Sequence, residues 1–192
     1  IVVGPILNAA EHLRIGELVR HSVEATVRWV GNNTNLGLVL LLAPLAKAAA
    51  NSHGTVDRNL VTDALNAMNS CDARDVYAAI RLAQPGGLGS SESFDVNESP
   101  PDNLLAAMTA AAERDSIARQ YADGFAQVFG FVLPKLLEAV QLETALPDAI
   151  VRVQLQILAE FPDSLIARKC GLAMARNVSE RAAQVLQYPL HS

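Results

Sequence analysis

Residues 31–41 read Gly-Asn-Asn-Thr-Asn-Leu-Gly-Leu-Val-Leu-Leu, small polar side chains that run straight into an apolar helix. Asn33, Thr34 and Asn35 are residue types that cap a helix N-terminus, where free N–H groups and the helix dipole favour an anion. Gly37 lets a ligand approach the backbone. Asn32, Asn33, Thr34, Asn35 and Gly37 therefore form a candidate phosphate site, held by a buried helix.

Carboxylates and cations supply the other candidates. Asp115 falls on the apolar stripe Leu104, Met108, Ala111, Ala118, Ala122, Phe125 and Phe129. An ionised carboxylate there is costly unless a cation, a metal or several donors meet it. It is read either as a structural pair, with a neighbouring helix or with Arg119, or as a site residue. Arg114 adjoins it, and Arg168 and Lys169 follow Asp163, so these cations could converge on an anionic substrate; surface solvation is the alternative. Asp163, in Pro162-Asp163-Ser164 before an apolar run, also reads as an ordinary helix cap. Asp95 follows Gly86, Gly87 and Gly89 in a loop that could close over a ligand and offer a carboxylate to a cation or a hydroxyl.

The elements that must position these residues are helices. Alanine, leucine and valine carry the apolar share of a 192-residue chain that is 51% hydrophobic and only 5% aromatic, and no alternating run long enough for a strand occurs. The expectation is all-α: one compact multi-helix domain over residues 1–192, with a buried central helix and one long functional loop. Helices are predicted over residues 17–30 and 36–50, the second kinked at Pro44. An apolar stripe from Val56 to Met68 makes a third, and Asp72 caps a fourth to about Leu82, ahead of Pro85. Residues 85–101 lose all periodicity and read as an active-site loop, a domain boundary being the alternative. One long periodic segment follows over 103–130, then an amphipathic stretch to about 142, and helices over 147–160, 164–176 and 180–186.

Other chemistries find little support. A formal charge of −5, without interleaved basic and aromatic residues, argues against a nucleic-acid partner. The longest apolar run, 36–46, falls well short of the ~20 residues a bilayer span needs. Cys71 and Cys170 form no CxxC pair and fit a reducing cytosol, so a cytoplasmic protein is expected, with a homo-oligomer left open. The four histidines are scattered, and there is no GxSxG, Walker or GxGxxG pattern. The chain opens at Ile1 in an apolar stretch, which suggests that an upstream part is absent.

At residues 31–37, at Arg114-Asp115-Ser116-Ile117-Ala118 and at Pro162-Asp163-Ser164-Leu165-Ile166-Ala167-Arg168-Lys169, the chain resembles the triphosphoribosyl-dephospho-coenzyme A synthase family. Asp75-Val76-Tyr77-Ala78-Ala79-Ile80, Pro85-Gly86-Gly87-Leu88-Gly89 and Asp95-Val96 look like the family's middle segment, in the expected order. The resemblance implies an all-α enzyme that takes ATP and 3′-dephospho-coenzyme A as small-molecule substrates, joins a triphosphoribosyl unit to the second ribose and releases adenine. It implies transfer at an anomeric carbon through an oxocarbenium-like transition state, which needs a carboxylate nearby and a base for the attacking hydroxyl. Asp115 and Asp95 fit those roles, or ligation of Mg2+. The classical members carry histidine and lysine where this chain has Asn35 and Leu36, and their upstream Lys-Pro-Gly-Asn segment has no counterpart here. Two rival readings remain: an all-α, metal-dependent hydrolase of ADP-ribose-like glycosidic bonds, and a non-enzymatic helical scaffold.

Overall fold

The computed structural model describes residues 2–32, 35–52, 54–86, 91, 93–142 and 145–188. They are helical throughout, without a strand among them, as the periodicity predicted. Contacts divide the chain into two compact units: residues 1–113 with 117–125, and residues 114–116 with 126–192.

The first unit is built around α2 (Ile15–Val30), α3 (Leu36–Ala50), α4 (Arg58–Asn66) and α5 (Ser70–Ala83), preceded by a single turn, α1 (Gly4–Leu7). α6 (Leu104–Ala111) and α7 (Ser116–Ala122) complete it. α2 packs along α5 and, on another side, along α3. Leu18, Val19 and Val23 meet a core that also takes Val39, Ala43, Val61, Leu65, Val76 and Phe125.

The α2–α5 contact is unusually close, and its chemistry explains why. A Cβ at Gly16 would stand 2.6 Å from the Asp72 Cα and 2.7 Å from the Asp72 carbonyl oxygen. The Gly16 N–H, in the first turn of α2, donates to Asp72 Oδ1 at 2.8 Å, while Asp72 Oδ2 accepts from the Asn69 N–H at 3.0 Å. Within α5, the Asn69 side chain in turn accepts from Cys71 N at 2.8 Å. One buried carboxylate thus satisfies orphan donors at the N-termini of two helices, where both dipoles favour its charge. Asp75, one turn on, accepts from Arg14 at 3.0 Å and from Arg20 at 3.1 Å. The expected cap at Asp72 is corrected by this geometry: Asn69 is the cap, and Asp72 is the third residue of the helix.

α3 matches its predicted span and continues through Pro44. Proline has no N–H, so the Leu40 carbonyl one turn earlier loses its helical partner. The hydroxyl of Tyr121, on α7, donates to that carbonyl at 2.8 Å. Both Tyr121 and Pro44 are fully buried. The acceptor that Pro44 exposes and the phenol that Tyr121 buries therefore solve each other's problem.

The long helix expected over 103–130 is broken. α6 stops at Ala111 and α7 starts at Ser116, with Asp115 just ahead of it. The stripe is real at Leu104, Met108, Ala118 and Phe125, all buried, but the carboxylate is not seated in it. Ending the helix before Asp115 lets that side chain leave the apolar face. α7 closes at Gly124, where φ is +62° and a Cβ would lie 2.6 Å from Thr62 Oγ1. Arg58 donates to the carbonyls of Gly124 at 3.0 Å and Asp123 at 2.6 Å, a cation at a helix C-terminus.

The second unit holds a π-helical turn (Val128–Val132), α8 (Leu133–Leu142), α9 (Leu146–Glu160), α10 (Ser164–Cys170) and α11 (Leu172–Val185). Ala139, Ala149 and Val153 are its buried core, wrapped by Val132, Leu136 and Ile157. Buried Ala175 and Ala182, two turns apart, belong to α11, which packs on α9. The helices predicted over 164–176 and 180–186 are replaced by α10 and one longer α11, divided at Gly171, whose φ is +90°.

Two stability predictions follow from these contacts. Tyr121→Phe should destabilise the fold by about 1–3 kcal/mol, the cost of a buried unsatisfied carbonyl. The loss should be distinctly smaller in a Pro44→Ala background, where the backbone N–H gained at position 44 can bond the Leu40 carbonyl itself. Chemical denaturation of the four members of that cycle measures the coupling. Gly16→Ala should lower stability by about 1–3 kcal/mol despite the better helix propensity of alanine, because α2 must move off α5. Thermal melting against wild type checks it.

Candidate functional site

The first unit carries the candidates at the start of α3 and in the loop before α6. Asn35 occupies the N-cap position of α3, yet its side chain makes no capping hydrogen bond. Its Nδ2 instead donates at 3.0 Å to Thr26 Oγ1, and that buried hydroxyl donates to the Ser22 carbonyl at 2.9 Å. Asn35 therefore ties the start of α3 to α2. Asn32 is exposed. At Gly37, the Cβ position lies 2.9 Å from Ile117 Cδ1, so the missing side chain makes room for α7. Asn33, Thr34 and Gly87 lie outside the described residues, and Gly86 is exposed at the end of the segment that follows α5.

Asp95 is buried and held by its own loop. Its Oδ2 accepts from Ser91 N at 2.8 Å, and its Oδ1 accepts from Asn97 N at 2.8 Å and Asn97 Nδ2 at 3.0 Å. The Asn97 and Ser91 backbone N–H groups, helped by the Asn97 amide and opposed by burial, hold its carboxyl below the usual carboxylate range. Among the described residues, three of its roughly four lone pairs are taken. The preceding residue, Phe94, stands at φ +57°, its carbonyl accepting from Tyr77 Oη at 3.0 Å. Sequence reasoning placed Asp95 in the loop but not this pinning, because donors two and four residues away leave no periodic signal.

The second unit brings two distant motifs together. Arg168 Nη1 lies 3.0 Å from Asp115 Oδ2, a pair formed across 53 residues. Ser116 N donates to Ser164 Oγ at 3.0 Å, and the two hydroxyls lie 2.9 Å apart. Asp163 caps α10 by accepting from Ile166 N at 2.8 Å. Arg168 is thus a partner of Asp115, and Arg119 donates to the Ala112 carbonyl at 3.1 Å. The pair is partly open, with the Arg168 and Asp115 side chains 23% and 26% exposed. Arg168 Nε is buried without a hydrogen-bond partner, so the guanidinium keeps a donor unused. Arg114 and Lys169 are exposed beside them in sequence.

Among the described residues, no group of three or more His, Cys, Asp or Glu side chains converges. Asp115 already faces a cation, and Asp95 keeps little free coordination. Sequence reasoning missed the long-range pairing of Asp72 and Asp75, whose partners Gly16, Arg14 and Arg20 stand 55 to 61 residues away.

Loop integrity supplies a pH prediction. Because the Asp95 carboxyl is depressed in the folded state, its contribution is complete above the ordinary aspartate value and disappears as pH falls through the lower folded value. Amide exchange protection at Ser91 and Asn97 should therefore survive down through the ordinary aspartate range and fail only at more acidic pH. In Asp95→Asn it should be weak at every pH, with global melting little changed.

A family profile described as ATP:dephospho-CoA triphosphoribosyl transferase, CitG, matches residues 1–191. A solved structure from Archaeoglobus fulgidus, named as a candidate triphosphoribosyl-dephospho-coA synthase, is similar with a TM-score of 0.73 at 25% identity; the match covers 95% of this chain and 78% of that one. No curated protein matches. The profile match runs through both compact units and takes in the α3 start, the Asp95 loop and the Asp115 and Asp163 motifs. Nothing in these likenesses favours the hydrolase or the scaffold. The all-α fold, the continuous profile and the order of the motifs agree: this chain is a transferase of the CitG family, the ATP:dephospho-CoA triphosphoribosyl transferases.

Proposed function

We propose that this enzyme moves the triphosphoribosyl unit of ATP to a ribose hydroxyl of 3′-dephospho-coenzyme A or a related acceptor, with release of adenine. The profile match over residues 1–191 carries the reading. The glycosidic bond between the anomeric carbon and the adenine nitrogen breaks, its electron pair leaving with adenine. The acceptor oxygen forms the new bond and gives up its proton. Positive charge on the ribose in between is what a fixed carboxylate stabilises.

Residue roles are assigned within each unit. In the second, Asp115 is the carboxylate set against developing positive charge, held in place by Arg168; the Arg168 guanidinium, with Arg114 and Lys169, meets phosphate oxygens. Asp163 and Ser164 act by fixing the start of α10, which carries Arg168. In the first unit, the α3 start with Asn32, Asn33, Thr34, Asn35 and Gly37 takes a phosphate group. Asp95 fixes its loop, with Gly86 and Gly87 leading into it, and offers its carboxylate to a hydroxyl or a hydrated cation. Mg2+ belongs in this reading with the nucleotide: it dehydrates reluctantly and binds through substrate phosphates and one or two carboxylates, which suits a protein whose described residues hold no converged acidic cluster. We read both units as one family domain serving one activity in the cytoplasm; no helix among the described residues is long and apolar enough to cross a membrane.

Incubation with ATP, Mg2+ and 3′-dephospho-coenzyme A, read by mass spectrometry, should yield adenine and an acceptor heavier by the triphosphoribosyl unit. Free ribose triphosphate formed equally well without acceptor would make the enzyme a hydrolase. Asp115→Asn should lower kcat by roughly 100-fold or more while costing only about 1 kcal/mol of stability, because the pair it breaks is partly solvated. Arg168→Lys should weaken ATP binding by about 1–3 kcal/mol in titration calorimetry, since an ammonium cannot hold Asp115 and a phosphate with one planar fork.

A further inference from the structure

The chain has a single tryptophan, Trp29, and its side chain is not used for packing. Trp29 is 75% exposed in the last turn of α2, whose buried face is made by Leu18, Val19, Val23 and their neighbours. Val30 beside it is 55% exposed, and Leu38, in the first turn of α3, is 58% exposed. Trp29 is the most exposed large apolar side chain among the described residues.

Its place is fixed by the Asn35 hydrogen bond. Asn35 Nδ2 at 3.0 Å from Thr26 Oγ1 sets the first turn of α3 beside residue 26 of α2. Trp29 is three residues further on, about 4.5 Å along the axis at the helical rise per residue. The indole, Val30 and Leu38 therefore lie at the same end of the α2–α3 hairpin as the N-terminus of α3. A flat, open aromatic face fits a purine ring, which stacks on indole and needs no hydrogen-bond reading to be held. It suits a donor whose purine is the leaving group.

We propose that Trp29, at the end of the hairpin where α3 begins, is the stacking platform for the adenine of the nucleotide donor. Trp29 is a positioning residue in this role: it holds the base and leaves the reacting bond to other groups. The proposal rests on the reading of ATP as donor given above, and the two can fail separately.

Because Trp29 is the sole indole, its emission reports the site directly. Wild-type protein is titrated with Mg2+-ATP and with Mg2+-tripolyphosphate, which has the phosphates but no base, following emission and heat together. ATP should quench or shift the emission and tripolyphosphate should not. Trp29→Ala should bind ATP about tenfold more weakly or worse, with tripolyphosphate affinity unchanged, and Trp29→Phe should recover most of the loss. If ATP binds by calorimetry while emission stays constant and Trp29→Ala keeps wild-type affinity, the base lies elsewhere and the platform is wrong, though the donor reading survives. If ATP gives no heat and no emission change at all, the donor reading fails and takes this proposal with it. Binding of an unrelated protein, rather than ATP, to the Trp29 face would likewise overturn it.

Discussion

The Asp72 carboxylate, shared between the first turns of α2 and α5, is the interaction on which the first unit turns. Two helices can approach this closely only if one of them lacks a side chain at the contact, and Gly16 supplies that gap. Two helix N-termini can point at one buried place only if an anion waits there, and Asp72 supplies that charge. The second carboxylate, Asp75, binds the two arginines of the same layer, Arg14 and Arg20. With α2 fixed on α5, the Thr26 and Asn35 contact fixes α3, and the Leu40 and Tyr121 contact fixes α7. The rest of that unit is placed from this layer outward.

Helix existence and the α3 boundaries were legible because apolar spacing is a local property. What was not legible depended on contacts far along the chain. The helix start at Ile15 was read two residues late, since Ile15 and Gly16 look like a loop until Asp72 is known to stand opposite. The break between α6 and α7 left no proline or glycine in the sequence; it is forced by a carboxylate that cannot stay on an apolar face. The π-helical turn before α8 follows a subtler logic: Pro134 has no N–H for the Gly130 carbonyl, and the ladder shifts so that Leu133 N–H bonds Val128 instead. Gly171 shows the converse case, where a local residue alone decided a boundary by adopting φ +90°.

At the candidate site, sequence reasoning found residues but not partners. Asp115 was noticed because it was out of place on a stripe, and the structure answers that anomaly with Arg168, a residue singled out for a different reason. The cation-rich motif and the acidic motif thus prove to be two halves of one cluster in the second unit. Asp163 caps the helix that carries Arg168, so the cap fixes where the Asp115 partner stands. Asp72 and Asp75, by contrast, carry the most elaborate electrostatics of the first unit and were read as a cap and as a motif letter. Nothing in their immediate neighbours announces burial; only the arginines and the glycine 55 to 61 positions earlier do.

The long reach of the Asp72 contact also sets an order of assembly. Gly16 and Asp72 are 56 residues apart, and the loop they close contains the whole of α3 and α4. Closing so long a loop is entropically unfavourable until many contacts reward it, which makes this pairing a slow step beside the formation of any single helix. On the ribosome it must also wait until α5 has emerged, so the side of α2 that α5 covers stays open after α3 is already available. The glycine that makes the native contact so close therefore also makes the nascent chain dependent on a late-arriving partner, and this is where misassembly of the newly made protein would begin.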